Sequence, residues 1–510
     1  MVTKTTFCWV AWALVALHSP VFASPLKAHN STYPPNPTIS FTTCAPEYSM
    51  SEEFECGSLT VPIDHDNAGD GSIDLFVSRR KATGTSRSLG SLVFNNGGPG
   101  SGSSVVFQAL SIGLPAFPSF SQDILENYDV IAVDTRGIGY SNAISCDKDI
   151  WNSAPKVFAT DDAGSSKLVA FNKDLGESCL KLTGPLAGFM DSVSTAKDFE
   201  LLRKTLGDEV LNYIGFSYGT VPGQAYAELY PQHVGRMVLD AVVDHSTAGA
   251  ITSIMTESQT YQATLEQFFV WCNETVECSL NGQDLPTIFK TLASATSLPA
   301  HCEEGEGKCK PQITGEDVLF NAQGQLLFAQ SPFQNWTDLA DAIILAFNGN
   351  AKGLSTKLKT DNTETNIGSD YAARAIICQD YGSSFTSSAD IKNILGVTSA
   401  LLPLTRGASE AFAAEAYCAS WPTSVRYPPQ VPNATQMGRV PPLMLVNAFL
   451  DPETSAAWAQ SVGQQIPSAV NIWRNGSGHT SYPFQGETRK AIDEFLISGR
   501  LPEQGTVFET

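Results

Sequence analysis

Leu211-Asn212-Tyr213-Ile214-Gly215-Phe216-Ser217-Tyr218-Gly219-Thr220 reads as a short apolar strand that runs into a Gly-x-Ser-x-Gly turn, with a helical segment following from Thr220 through Tyr230. Strand, turn and helix in that order form the setting of a nucleophile elbow, in which a sharp backbone turn exposes a serine at the edge of a sheet. Gly215 and Gly219 flank Ser217 because a strained turn leaves no room for β-carbons against its neighbours. The bare pentapeptide also arises by chance in a chain rich in glycine and serine. An elbow differs from that accident in needing a histidine, a carboxylate and N–H donors elsewhere in the chain.

The surroundings read as alternating strands and helices. Strand-like runs lie at 57–63, 73–77, 91–94, 128–134 and 234–244, and several are apolar throughout. A helix between the fourth of these and the elbow is opened by a capping pair, Thr195 and Asp198, with Phe199, Leu202 and Leu206 on one face. Continuous apolar strands interleaved with helices predict an α/β fold, a mostly parallel, doubly wound sheet covered on both faces. From 251 to 440 helical periodicity dominates, for instance 332–347 after Ser331 and 410–417 after Ser409. This stretch is expected to be a large helical lid inserted into the sheet domain. Sheet character resumes at 442–447 and 469–473, with helices at 455–465 and 487–497. The expected organisation is therefore a signal peptide over 1–23, sheet-domain portions over 24–250 and 441–510, and the lid over 251–440.

The leader and the cysteines point to one compartment. Lys4, the apolar run Phe7 to Leu17 and Val21-Phe22-Ala23 before Ser24 form a secretory signal too short to span a membrane. The C-terminus carries no hydrophobic tail that would call for a lipid anchor. Of 11 cysteines, Cys8 leaves with the signal, so an even set remains for an oxidising environment. Clustering suggests neighbour pairs: Cys44 with Cys56, Cys146 with Cys179, Cys272 with Cys278, Cys302 with Cys309, and Cys378 with Cys418. No Cys-x-x-Cys or histidine cluster stands beside them, so neither a metal nor another cofactor is expected. Asn30, Asn273, Asn335, Asn433 and Asn475 each begin a glycosylation sequon, as suits a secreted, extracellular chain. The net charge of −21 argues against nucleic acid or anionic membrane partners. The chain is read as a monomer acting on a peptide or small molecule.

Partners for Ser217 should follow it in the order acid then histidine, each past a late strand. Asp451 lies just past the strand 442–447 and His479 just past 469–473, behind the Gly-rich turn Gly476-Ser477-Gly478. The other histidines fit less well: His18 leaves with the signal, and His29, His65, His233, His245 and His301 fall in the leader, at earlier strands or in a cysteine loop. Asp240 and Asp244 are the rival carboxylates, one strand earlier. The oxyanion of a tetrahedral intermediate needs backbone donors, expected from Tyr218 and from the glycine loop after 91–94, at Gly98. That loop lacks the spacing of a phosphate-binding P-loop.

With these residues in place, the chain resembles the secreted tripeptidyl aminopeptidase branch of the proline iminopeptidase-like α/β-hydrolases. The resemblance rests on Glu55 to Asp64, the Asn96-Gly97-Gly98-Pro99-Gly100 loop, Asp134 to Ser141, Gly215 to Thr220 with Tyr226-Ala227, and Gly235 to Asp244. Pro442 to Asp451 and Gly476 to His479 look like that family's TAP-like closing portion. It implies a serine peptidase with an α/β-hydrolase fold and a Ser217, Asp451 and His479 triad. It also implies cleavage near a free peptide N-terminus, with lid carboxylates holding the ammonium. Departures are Ser101 in place of a frequent glycine, Asn96 where iminopeptidases carry histidine, and Thr135 where proline is usual. None removes a catalytic group. The alternative is a hydrolase of the same build that cleaves an ester, lactone or amide in a small metabolite, and the lid decides between them.

Overall fold

The computed structural model describes residues 38–509, apart from 85–87, 115–118, 248, 303–308, 329–334 and 364–368. The signal segment, Asn30 and the Ser331 cap lie outside the described residues. The described residues form twelve strands: β1 (Thr42–Thr43), β2 (Phe54–Pro62), β3 (Ser72–Arg80), β4 (Ser91–Asn95), β5 (Asp129–Val133), β6 (Leu211–Phe216), β7 (Val234–Asp240), the short pair β8 (Leu298–Pro299) and β9 (Gln312–Ile313), β10 (Leu443–Leu450), β11 (Ala469–Ser477) and β12 (Val507–Glu509). Ten of them make one sheet in the order β1-β2-β3-β5-β4-β6-β7-β10-β11-β12. The β1, β2, β3 edge is antiparallel, and from β5 through β12 every pairing is parallel.

Strand periodicity sorts the side chains into two cores. Val93, Ile131, Tyr213, Leu239 and Leu445 face one layer of helices, while Leu92, Phe94, Val130, Ile214, Val238 and Met444 face the other. Each strand interior is buried on both sides, so it is apolar at every position rather than at alternate ones. Because the central strands run parallel, the loops after β4, β6, β7, β10 and β11 all open at the same edge of the sheet. A doubly wound sheet holds its ligands at that edge.

Two local expectations are corrected. The helix before β6 begins at Ser192 and is capped by Asp191, whose carboxylate accepts from Ser194 N at 2.9 Å. Asp198 lies inside that helix, where Arg136 donates to both of its oxygens at 2.7 and 2.8 Å. A buried guanidinium needs its carboxylate more than the helix needs a second cap. The strand read as 234–244 ends at Asp240, because the backbone turns left-handed at Ala241 (φ 63°). Helix Trp336–Phe347 is capped by Asn335, the asparagine of a sequon, through a capping box with Asp338.

Between β7 and β10 the described residues contribute no strand to the large sheet. They form helices around a separate apolar core that includes Leu265, Phe268, Phe289, Leu319 and Ile343. Five disulfides join Cys44 to Cys56, Cys146 to Cys179, Cys272 to Cys278, Cys302 to Cys309 and Cys378 to Cys418. The last links helix Asp370–Asp380 to helix Glu410–Cys418 across a sequence separation of 40. Loop-closure entropy for a cross-link of that length is about 4 kcal/mol, so Cys378→Ala with Cys418→Ala should lower the unfolding free energy by roughly that amount. Urea unfolding of both proteins under non-reducing conditions measures it.

Candidate active site

All six residues of β6 are buried, and the chain leaves the strand through Ser217 at φ 55°. A left-handed serine is costly and persists only where its surroundings over-determine it. Here they do so by excluding β-carbons. A Cβ on Gly215 would come within 2.5 Å of Gly219 O, and one on Gly219 within 2.7 Å of Asn95 O. Gly97, after β4, sits so close to Phe216 O and Tyr218 N that any side chain would collide with the elbow. Gly97, Gly98 and Gly100 take φ values of 80°, 106° and 95°, which glycine alone adopts readily. Gly98 and Tyr218 line the same cavity as Ser217.

Tyr218 is also held through its side chain. Its hydroxyl donates to Asp380 Oδ2 at 2.8 Å, and Asp380 also accepts from Ser192 N at 2.9 Å and Ser192 Oγ at 2.5 Å. Burial, then the neighbouring Asp191, pushes the Asp380 carboxyl up to about 8.

The histidine in contact with a carboxylate past the late strands is His479, whose Nδ1 lies 2.9 Å from both oxygens of Asp451. Asp451 is fully buried and accepts further bonds from Thr454 N at 2.9 Å, Thr454 Oγ1 at 2.7 Å and Glu453 N at 3.0 Å. Burial alone would raise its pKa, but the His479 charge and hydrogen bond hold it below the ordinary carboxylate value. Burial alone would lower His479, and Asp451 overrides it to leave the imidazole above its ordinary value. With Nδ1–H given to Asp451, the Nε2 lone pair is the one free to take a proton.

The rival carboxylates do different work. Asp240 Oδ2 accepts from Ser481 N at 2.9 Å and Tyr482 N at 2.8 Å, gripping the loop that carries His479. Burial pushes the Asp240 carboxyl up to about 6. Asp244 binds Ser246 N at 2.8 Å and closes a local turn. Arg474, 1% exposed on β11, grips the His479 loop from the other side, donating to Ser477 O at 3.1 Å, Gly478 O at 2.8 Å and Thr480 O at 3.1 Å. The other described histidines have other neighbours: His65 contacts Asp198, His233 stands 3.0 Å from Glu200, and His245 contacts Asp380 O, with burial lowering His245 to about 4. His301 is exposed.

Sequence reading missed the carboxylates of the cavity. A space of about 320 Å³ is lined by Ser217 together with Glu257, Glu410 and Glu453. Glu257, on helix Ala250–Glu274, accepts from Gln323 Nε2 at 2.7 Å, Glu410 N at 2.7 Å and Ala411 N at 2.9 Å. Burial first, and then Glu410, pushes it up to about 8. Glu453 Oε2 is 3.9 Å from His479 Nε2. Glu410 is walled in by protein yet open to the solvent of the cavity. Burial raises both its carboxyl and that of Glu453, and Glu410 and Asp451 raise Glu453 further. A signal was available for Glu257, which falls on a stripe with Ile254, Tyr261, Leu265 and Phe268, an apolar face where a lone acid needs a reason. Among the described residues no group of histidine, cysteine and acid side chains could hold a metal.

A parallel sheet with a left-handed serine after its central strand, and a His–Asp pair past later strands, defines an α/β-hydrolase. Residues 90–339 match the α/β-hydrolase fold family and residues 405–508 the family described as TAP-like protein. The chain belongs to the α/β-hydrolases with a TAP-like C-terminal part. It is 34% identical to a tripeptidyl aminopeptidase of Streptomyces lividans over 45% of this chain and 41% of that protein, so it spans less than half of that relative's length. It is 25% identical to serine protease Hip1 of Mycobacterium tuberculosis over 92% of this chain and 90% of that one. It is also 25% identical to carboxylesterase B of Mycobacterium tuberculosis over 91% and 89%.

The grip of Arg474 on the His479 loop yields a direct test. Misplacing a catalytic group by about 1 Å costs on the order of 100-fold, so Arg474→Met should slow labelling of Ser217 by a fluorophosphonate about that much while circular dichroism stays native.

Proposed function

We propose that this chain is a secreted serine exopeptidase that releases short peptides or residues from free peptide N-termini. The observation that carries the reading is the set Glu257, Glu410 and Glu453 in one cavity with Ser217. A substrate whose scissile carbonyl lies at Ser217 would extend its ammonium into this set, where the positive charge meets carboxylates in a cleft walled by protein. The helical segment between β7 and β10 acts as the lid that supplies Glu257 and Glu410. Disulfides and sequons fit an oxidising, extracellular setting, and among the described residues no helix is long and apolar enough to cross a membrane.

In the proposed cycle His479 Nε2 takes the proton of Ser217 Oγ as the oxygen attacks the carbonyl. Asp451 keeps the imidazole oriented and stabilises its charge. The Gly98 and Tyr218 N–H groups receive the oxyanion, His479 protonates the leaving amine, and water then releases the acyl group by the reverse sequence. No cofactor is required. The reading meets its test on N-terminally free peptide amides, their N-acetylated forms and simple acyl esters. Turnover of the free peptides with little of the acetylated ones supports it; turnover of esters alone overturns it in favour of a metabolite esterase.

Ser217→Ala should reduce turnover on the order of 10⁶-fold while leaving the thermal midpoint nearly unchanged. Glu410→Gln should raise KM for free peptides about tenfold and change ester hydrolysis little, since only the former present an ammonium. The base must be neutral, and the His479 pKa is raised above its ordinary 6.5, so kcat/KM should fall as pH drops through a midpoint above that value. Protonation of the glutamates acts in the same direction, weakening ammonium binding as pH falls. A pH profile with an acid limb centred below 6 contradicts both.

A further inference from the structure

Helix Asp370–Asp380 serves two cavities. Ile377 faces the one that holds Ser217, whereas Arg374, one turn earlier, lines a second space of about 130 Å³ beside Trp151 and Tyr417. Arg374 is 7% exposed, its Cζ standing 3.4 Å from the centroid of the Tyr417 ring and 5.1 Å from that of Trp151. The rings stabilise the cation through their faces but offer no acceptor to its N–H groups. Its Nη1 is buried without a hydrogen-bond partner.

The carboxylates nearby are committed to other groups. Asp370 pairs with Lys359. Glu316 accepts from Val157 N at 2.5 Å and Phe158 N at 2.9 Å. Asp317 accepts from Lys310 Nζ at 3.0 Å and Thr314 N at 2.8 Å. Among the described residues no carboxylate stands within ion-pair distance of Arg374, although burial of an uncompensated charge is expensive. The cost is visible in the guanidinium, which burial lowers to about 10. Lys357, at the exposed rim, adds a second cation.

We propose that this cavity is a binding site for a small carboxylate, held by the edge of the Arg374 guanidinium and attracted by Lys357. With the Tyr417 ring 3.4 Å from its Cζ, one face of the guanidinium is covered, and its N–H groups are offered along its edge. A planar carboxylate meets that edge with two parallel N–H···O bonds, which a single-atom anion cannot do. Glu316 and Asp317 do not fill the role, because each is already held by other donors.

Trp151 reports on the site. Purified protein titrated with sodium acetate or propionate, with sodium chloride keeping ionic strength constant, should show saturable changes in tryptophan fluorescence and a rise in thermal midpoint. Ser217→Ala should titrate identically, which separates this site from the catalytic cavity. Arg374→Gln should weaken the apparent affinity about tenfold or more. Arg374→Lys keeps a cation under the rings, and with it the fold, but loses the fork, so it should weaken binding comparably. Absence of saturation with either carboxylate overturns the proposal, as do unchanged affinity in both Arg374 variants and saturation by inorganic phosphate or chloride alone.

Discussion

Ser217 occupies a left-handed backbone conformation at the end of β6, and most of the active-site architecture is the packing that makes this tolerable. The turn is held by contacts that admit no side chains: Gly215 against Gly219, Gly219 against Asn95, and Gly97 against the elbow itself. The same closeness that forces the turn brings the glycine loop after β4 alongside the serine. Strain at Ser217 and placement of the loop N–H groups are thus one constraint.

The His479 loop is held by a different device. Asp240 grips its backbone N–H groups from β7 while Arg474 grips its carbonyls from β11, and Asp451 holds the imidazole between them. Opposite charges on β7 and β11, the strands on either side of β10, clamp one loop by its two kinds of backbone group. Because both are buried, the bonds are strong and breaking one would leave a charge without a partner. Asp240, a rival acid by its place one strand earlier, is a buried carboxylate at the same sheet edge whose partner is the loop backbone rather than the ring.

The glutamate set belongs to yet another level. Glu257, Glu410 and Glu453 come from a helix after β7, a helix late in the segment between β7 and β10, and the loop after β10. Burial first, and then neighbouring carboxylates, raises their pKa values, an arrangement a folded chain keeps only when something offsets it. Glu257 is offset by backbone N–H groups at the start of helix Glu410–Cys418, which leaves Glu410 and Glu453 as the pair facing the open cavity.

The strand–turn–helix pattern around Ser217, the apolar runs of a two-faced parallel sheet, and the positions of Asp451 and His479 past late strands were all readable along the chain. Each follows from local periodicity or from the order in which parallel strands end at one edge. Asp198 was misread as a cap because a helix start and a buried ion-pair partner look alike until Arg136 is placed beside it. By itself the sequence determined that a serine would be presented at the edge of an α/β sheet with a His and an Asp downstream. Only the tertiary structure decided that Glu257, Glu410 and Glu453 share the serine's cavity, that Arg474 and Asp240 clamp the His479 loop, and that Arg374 is buried with no carboxylate beside it among the described residues. Charge compensation depends on which side chains meet in space, and no local pattern encodes that.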